Sequence, residues 1–384
     1  MIEKTDLQYM ALAIQLARKG LYSTSPNPRV GCVLVKHDQI IGQGFHIQAG
    51  SGHAEVNALQ HCQSLGNSPE NSTAYVTLEP CSHTGRTGPC AVALKEAGIQ
   101  RVVIGHLDPN PKVSGNGIKI LENAGVCVDY PCLEQEAEAL NAGFIQRMLH
   151  NTPRVTAKIA SSLDGRTAMA SGESQWITGE AARTDVQRLR AQSCAIITGI
   201  GTVLDDNPSL MVRDERFTIE GTDVYRQPLR VIVDSNLRIS TNCTIVNQVG
   251  RSLVVFAANP EYHKKTLAAL HDAGVETLHC PDTNGKVNLT QLLHNLAQRE
   301  CNEVMIEAGA RLTGVFLQKC LIDKLIYYIA PTLLGSNGRP QVELPLENMS
   351  EQVRLDICET RLVGQDIRIS AIPCYSNIQT SSSE

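Results

Sequence analysis

A histidine and two cysteines, each placed at the junction of two different local patterns, constrain this chain more than any other feature of it. Gly52-His53-Ala54-Glu55 stands where a helical pattern begins, and Glu79-Pro80-Cys81 closes an apolar, β-branched run over 74–78. Cys90 follows Pro89 and opens a helical pattern over 91–97. The flanking segments continue the alternation. A helix is expected over 6–20, with Asp6 as its cap and Gly20 as its stop, followed by strands over 30–35 and 39–45. A strand over 101–104, a helix over 117–124 and one long helical pattern over 134–149 come next. Helices alternating with short β-branched runs indicate an α/β fold in which helices pack on a sheet.

The residue types point to chemistry. One imidazole and two thiolates give Zn2+ three protein ligands and leave a fourth position open for water. Zinc lowers the pKa of such a water towards neutrality, and Glu55, two residues after His53, can move its protons without being a ligand. This is the logic of hydrolytic deamination at an amidine-like ring carbon, written in nucleobase deaminases as H-x-E followed by P-C-x-x-C. Here the cysteines are separated by Ser82 to Pro89 rather than by two residues. Spacing alone therefore leaves Cys90 open, as a ligand beyond an insertion or as no ligand. Its position before the helical Ala91-Val92-Ala93-Leu94 favours the first reading, because a helix N-terminus favours a thiolate. A closed structural site is the rival, with His61, Cys62 or His83 as fourth ligand.

A chain of 384 residues is long for one core, and two domains are expected. Asn151-Thr152-Pro153 breaks the helical pattern, and a new series begins: strands over 154–160, 195–198, 230–233, 252–257 and 303–307. Helices near 180–192, 262–273, 289–299 and 311–320 separate them. The expected domains are 1–150 and 151–373, with 374–384 as a disordered, Ser-rich tail. Gly199-Ile200-Gly201 continues to Leu204, so the third glycine of a dinucleotide-binding fingerprint is missing.

Charge and composition exclude some partners. A net charge of -5 and an aromatic content of 4% argue against nucleic acid, including a deaminase that edits tRNA, and against an anionic membrane surface. No apolar run approaches the roughly 20 residues of a membrane span. Residues 1–20 lack the apolar block of a signal peptide, so a cytoplasmic location is expected. The odd count of 13 cysteines fits free thiols plus a few ligands, with Cys32 and Cys127 as small buried hydrophobes.

Longer motifs carry a resemblance. The runs Ser25-Pro26-Asn27-Pro28-Arg29-Val30-Gly31-Cys32-Val33 and Glu79-Pro80-Cys81-Ser82-His83-Thr84-Gly85-Arg86-Thr87-Gly88-Pro89-Cys90 resemble the deaminase half of the bifunctional riboflavin-biosynthesis deaminase/reductases. In that family the long spacing between cysteines is normal. Lys158-Ile159-Ala160-Ser161-Ser162-Leu163-Asp164-Gly165-Arg166, Gly172-Glu173-Ser174-Gln175-Trp176-Ile177-Thr178 and Ile306-Glu307-Ala308-Gly309 resemble its reductase half. So do Gly201-Thr202-Val203-Leu204-Asp205-Asp206-Asn207-Pro208 and Ala330-Pro331-Thr332-Leu333-Leu334-Gly335.

The resemblance implies a cytidine-deaminase-like α/β/α layer followed by a dihydrofolate-reductase-like α/β domain. It implies zinc on His53, Cys81 and Cys90, proton transfer by Glu55, and a phosphoribosylaminopyrimidine substrate met by Asn27, His46, His83 and Arg86. In the second half it implies NADPH, reduction of the ribosyl chain, and a homo-oligomer. Lys158 and Glu307 would hold the sugar, or form a structural ion pair. Substrate contacts fall on Ser174, Arg190, Leu210, Arg213 and Glu307, the arginines matching phosphate by their fork geometry. Cofactor contacts fall on Ala160, Trp176, Thr202, Asp206, Ser235 and Gly309-Ala310-Arg311-Leu312-Thr313-Gly314-Val315. Trp176, the single tryptophan, is otherwise a core anchor.

Overall fold

The computed structural model describes residues 2–82, 88–110 and 114–375. Two compact units emerge, residues 1–151 with 218–226, and residues 152–217 with 227–384. The first holds α1 (Lys4–Lys19), β1 (Gly31–Lys36), β2 (Gln39–Phe45), α2 (Ala54–Ser64), β3 (Thr73–Leu78) and α3 (Cys90–Glu96). It continues with β4 (Arg101–His106), α4 (Asn116–Asn123), β5 (Cys127–Asp129), α5 (Glu134–Leu140) and α6 (Ala142–His150).

Its sheet runs β2-β1-β3-β4-β5, antiparallel in the first two pairings and parallel in the last two. Alternate residues of each strand face opposite layers. Val33, Val35, Tyr75 and Val103 bury against Met10, Ala13, Ile14 and Ala17 of α1 and Leu140 of α5. Cys32, Leu34, Ala74, Val76, Val102 and Ile104 bury against Ala54 and Ala58 of α2, Leu94 of α3 and Leu121 of α4. This is the expected α/β/α layer.

Three local expectations are corrected. Glu3, not Asp6, is the N-cap of α1. Asp6 lies one turn in, accepts the Glu3 N–H at 2.8 Å, and is buried against Tyr75 and Arg101. The pattern over 134–149 is two helices, broken at Asn141. That side chain accepts the Arg29 N–H at 2.7 Å and donates to the Arg29 carbonyl at 2.9 Å, which holds its backbone out of the helical region. Cys127, expected to be buried, is exposed at the start of the edge strand β5, whereas Cys32 is fully buried. All 13 cysteines are free.

The second unit comprises β6 (Arg154–Ser162), β7 (Arg166–Ala168), α7 (Glu180–Gln192), β8 (Ala195–Gly199), α8 (Ile200–Asp206), β9 (Leu229–Val233) and α9 (Thr244–Asn247). Then come β10 (Ser252–Phe256), α10 (Lys264–Asp272), β11 (Glu276–His279), α11 (Leu289–Gln298), β12 (Glu303–Ile306) and α12 (Ala310–Gln318). Four strands close it: β13 (Lys324–Ala330), β14 (Arg339–Pro340), β15 (Arg354–Val363) and β16 (Asp366–Cys374). The main sheet is β11-β10-β9-β8-β12-β6-β13-β16-β15, parallel up to β13 and antiparallel over its last two pairings.

Helices α11 and α12 cover one face of this sheet through Leu292, Leu293, Leu296, Phe316 and Leu317. On the other face Ala182, Val186 and Leu189 of α7 and Leu270 of α10 are buried. A parallel sheet covered on both faces and ending in antiparallel strands is the dihydrofolate-reductase-like arrangement that the resemblance implies. Strands β11, β13, β15 and β16 were not foreseen. The ten residues of β15 are almost all exposed, so no hydrophobic pattern marks them. Of the tail expected over 374–384, Cys374 ends β16 and Tyr375 donates its hydroxyl to the Ile322 carbonyl at 2.9 Å; the remainder lies outside the described residues.

Candidate active sites

The first site is assembled at the carboxyl end of β3 and the N-terminus of α2. Gly44 of β2 makes this close packing possible, since a Cβ there would meet the Ala58 nitrogen at 2.4 Å. His53, the N-cap of α2, is extended, and its carbonyl accepts the Asn57 N–H at 3.0 Å. Glu55 falls in the first turn, where helix polarity favours a carboxylate, and is only 3% exposed. Cys81 follows β3, and Cys90 is the first residue of α3.

His53 Nδ1 lies 3.6 Å from Cys81 Sγ and 3.3 Å from Cys90 Sγ. Around a tetrahedral zinc, a nitrogen and a sulfur ligand stand ~3.5 Å apart given the usual bond lengths. All three donor atoms lie within 4.8 Å of one another, so the set fits zinc as three ligands. The Cys90 N–H also donates to Cys81 Sγ at 3.3 Å. Hydrogen bonding from Cys90 and His53 pushes the Cys81 thiol down to about 4, and that thiolate in turn drives the Cys90 thiol up. His53 is raised by its contact with Cys81. Burial, with the Cys81 charge adding to it, raises Glu55 to about 7.

The closed four-ligand alternative loses two of its candidates. His61 Nδ1 accepts the Gln43 N–H at 3.1 Å, and Cys62 Sγ lies 3.6 Å from the Asn67 carbonyl. Among the described residues neither joins the cluster. His83 and Arg86 lie outside the described residues.

Asn27 and His46 are brought beside the cluster. The imidazoles of His46 and His53 meet edge to face at 5.2 Å. His46 Nδ1 is 3.0 Å from the Gly52 carbonyl, which only accepts, so Nδ1 carries the proton and Nε2 accepts from Asn27 Nδ2 at 3.1 Å. Burial lowers the His46 pKa and keeps this neutral tautomer. Sequence reasoning passed over Glu79, which is buried two residues before Cys81 and accepts three backbone N–H groups.

In the second unit, β6 and β12 are adjacent, with Ile306 opposite Ala157, which sets Lys158 near Glu307. Lys158 Nζ lies 3.4 Å from Glu307 Oε1, and Arg190 of α7 grips the same carboxylate with two bonds of 2.9 Å. The expected pair is thus a three-residue ion cluster. The Arg190 fork faces Glu307, and its third donor reaches the Met211 carbonyl at 3.1 Å. Leu210, beside it, is buried with a φ of 53°. Arg213 lines a separate cleft of about 630 Å³ with Arg183 and Gln187.

Several of the cofactor candidates fall together, with the substrate candidate Ser174 beside them. Ser174 donates to Asp206 at 3.1 Å, and Thr202 Oγ1 accepts the Gly309 N–H at 3.2 Å. Gly309 caps α12, whose first turn carries Ala310, Arg311 and Leu312; Thr313 and Gly314 are buried and Val315 is half exposed. A helix start of this kind presents N–H groups to a phosphate. Ser235 follows β9, where its hydroxyl accepts the Val287 N–H at 3.2 Å, and Ala160 lies in β6. Trp176 is no core anchor: it is 71% exposed, with the Arg183 guanidinium 4.7 Å from its ring centre.

Both units match known protein families. Residues 3–106 match the family described as the cytidine and deoxycytidylate deaminase zinc-binding region, and residues 153–369 match the RibD C-terminal domain. Riboflavin biosynthesis protein RibD of Escherichia coli (strain K12) is 45% identical over 368 residues, covering 94% of this chain and 98% of its own. The corresponding protein of Haemophilus influenzae is 43% identical, covering 96% and 97%. Among solved structures, Acinetobacter baumannii RibD (form 1) superposes with a TM-score of 0.87 at 46% identity, covering 97% of this chain and 99% of its own. A deaminase/reductase of Thermotoga maritima gives 0.82 at 32% identity, covering 96% and 99%. The chain belongs to the RibD family of riboflavin-biosynthesis proteins.

Proposed function

We propose that this chain performs two consecutive steps of riboflavin biosynthesis. The first unit hydrolyses the ring amino group from a diaminohydroxy-phosphoribosylaminopyrimidine, giving a uracil and ammonia. The second reduces the ribosyl side chain to ribityl with NADPH. The observation that carries the reading is the His53, Cys81 and Cys90 trio at zinc-ligand separations with buried Glu55 in the first turn of α2.

Zinc held by these three residues would supply the Lewis acidity that activates water. Glu55 takes a proton from the attacking water and returns it to the departing nitrogen, a task suited to a carboxyl whose pKa sits near neutrality. His46 fixes the Asn27 amide through its Nδ2, so that the amide oxygen meets a ring N–H of the pyrimidine. His83 and Arg86 are assigned to the substrate by family resemblance.

In the second unit NADPH would supply hydride. Lys158 and Glu307 position the opened sugar and its hydroxyls, and Arg190 holds Glu307 ionised between two cations. Ser174, Leu210 and Arg213 complete the substrate side. Ala160, Trp176, Thr202, Asp206, Ser235 and the start of α12 would form the cofactor side, where N–H groups at the first turn of α12 would hold a phosphate.

The proposed location is the cytoplasm, because 13 free thiols fit a reducing compartment. No helix among the described residues is long and apolar enough to cross a membrane. A homo-oligomer is also proposed: the ten-residue edge strand β15 exposes Leu355, Ile357 and Leu362, a surface that proteins usually cover. The deciding experiment supplies the diaminopyrimidine with and without NADPH and identifies the products by mass. Glu55→Gln is expected to retain zinc, abolish deamination and leave reduction of the deaminated intermediate intact. Loss of both activities together would contradict two separate sites.

A further inference from the structure

Glu79 ends an apolar strand with a buried carboxylate that has no cation in contact with it among the described residues. Its partners are backbone N–H groups instead. Oε2 accepts from Asp108 at 3.2 Å and from Gly115 at 3.0 Å, and Oε1 accepts from Gly117 at 3.0 Å. One carboxylate therefore holds Asp108, just after β4, together with Gly115 and Gly117 at the start of α4. The approach is tight: a Cβ on Gly117 would lie 2.0 Å from the Pro80 carbonyl and 3.2 Å from Glu79 Oε1. The next turn of the same main chain is the ligand Cys81.

Strands β3 and β4 are parallel neighbours, with Leu78 opposite His106. Their carboxyl ends thus open side by side, and ligands of α/β sheets bind outside such ends. The exit from β3 carries Cys81, and the exit from β4 carries Asp108 and Asn110, whose own turn is closed by Asp108 Oδ1 accepting the Asn110 N–H at 2.8 Å. The Glu79 N–H donates to the His106 carbonyl at 3.0 Å and extends the register of the two strands to the rim.

We propose that Glu79 is a positioning residue of the deaminase site: its carboxylate clamps the Asp108 and Gly115–Gly117 backbone beside the metal ligands, so that the residues it holds form a wall for the pyrimidine substrate. The inference rests on the deaminase reading of the first unit. The clamp acts through the backbone it holds, not on the metal: both carboxyl oxygens accept backbone N–H groups and none of the three contacts needs a donor from Glu79.

The test uses the full chain with zinc bound, and the wild-type protein must first deaminate the diaminopyrimidine; failure there removes the deaminase reading itself. Glu79→Gln puts an amide N–H against backbone N–H donors while keeping size and shape. The expected result is one zinc per chain, unchanged reduction of the deaminated intermediate, and a KM for deamination raised on the order of tenfold or more, with a smaller change in kcat. Gly117→Ala keeps Glu79 itself but, through a Cβ that would clash with the Pro80 carbonyl and crowd Glu79 Oε1, displaces the same segment, and it is expected to raise KM likewise. A purely structural Glu79 would lower the melting temperature of the first unit and leave KM untouched below that temperature, which overturns the proposal. Loss of zinc in Glu79→Gln overturns it too, because Glu79 would then support the ligand loop. If Glu79→Gln does not fold its unit, Gly117→Ala decides by the same KM reading.

Discussion

At the scale of single residues, the second site turns on one carboxylate. Burial works to raise the pKa of Glu307, but the charges of Arg190 and Lys158 overcome it and hold the group down to about 2. A folded pKa below the unfolded value of about 4.3 adds stability that is complete above that pH and is lost as pH falls through about 2. Glu307→Gln leaves two cations packed together without their counter-charge, which costs about 3 kcal/mol. The expected outcome is a lower denaturation midpoint for the second unit, a weaker dependence of that midpoint on pH between about 4 and 2, and loss of NADPH oxidation. Denaturant titrations across pH check the first two, and absorbance at the nicotinamide band checks the third. At the first site the residue types themselves suggest the chemistry, because zinc takes imidazole and thiolates. The residues of the second site rest on family resemblance, since lysine, arginine and glutamate on strands and helices are common without any such role. Glu79 went unnoticed because its partners are backbone N–H groups, which no side-chain pattern records. For Trp176 the core-anchor alternative to a cofactor contact fails, because its ring is exposed and is supported by Arg183 rather than by an apolar pocket.

At the scale of elements, helix α1 shows how a cap is chosen by tertiary contact. Asp6 has the right chemistry for an N-cap, yet its carboxylate is more valuable one turn later. There it receives the Tyr75 hydroxyl at 2.8 Å and the Arg101 guanidinium at 2.8 and 2.9 Å, in addition to the Glu3 N–H. Arg101, foremost among these partners, lowers the Asp6 pKa to about 2 against the opposing effect of burial. Asp6→Asn keeps the shape and removes the charge that three donors share. It is expected to destabilise the first unit by about 2 kcal/mol at neutral pH, read as a lower urea midpoint with unchanged zinc content. The start of α2 and the boundaries of α3, β2 and β3 followed from periodicity to within a residue or two, since each presents one apolar face to a layer. Periodicity failed where that condition is absent. Asn141 interrupts an apolar pattern that stays in phase on both sides, and β15 lies outside the core, so its sequence carries no burial signal.

At the scale of the whole molecule, each unit closes its own sheet with helices on both faces, and each has its own buried clusters. The metal ligands all belong to the first unit and the Lys158, Arg190 and Glu307 cluster to the second. Stabilisation by a bound ligand accrues to the unit that binds it and rises with the logarithm of ligand over Kd. His53, Cys81 and Cys90, which would hold zinc, lie at the N-cap of α2, after β3 and at the first residue of α3, so a bound metal would tie three elements together. Prolonged chelation is therefore expected to lower the melting of the first unit by several degrees, abolish deamination, and leave the reductase rate and the melting of the second unit in place. Scanning calorimetry before and after chelation, with NADPH-dependent reduction of the deaminated intermediate assayed on the same samples, checks each part. A fall in the reductase rate parallel to zinc loss would mean that the two units do not keep their stabilities apart.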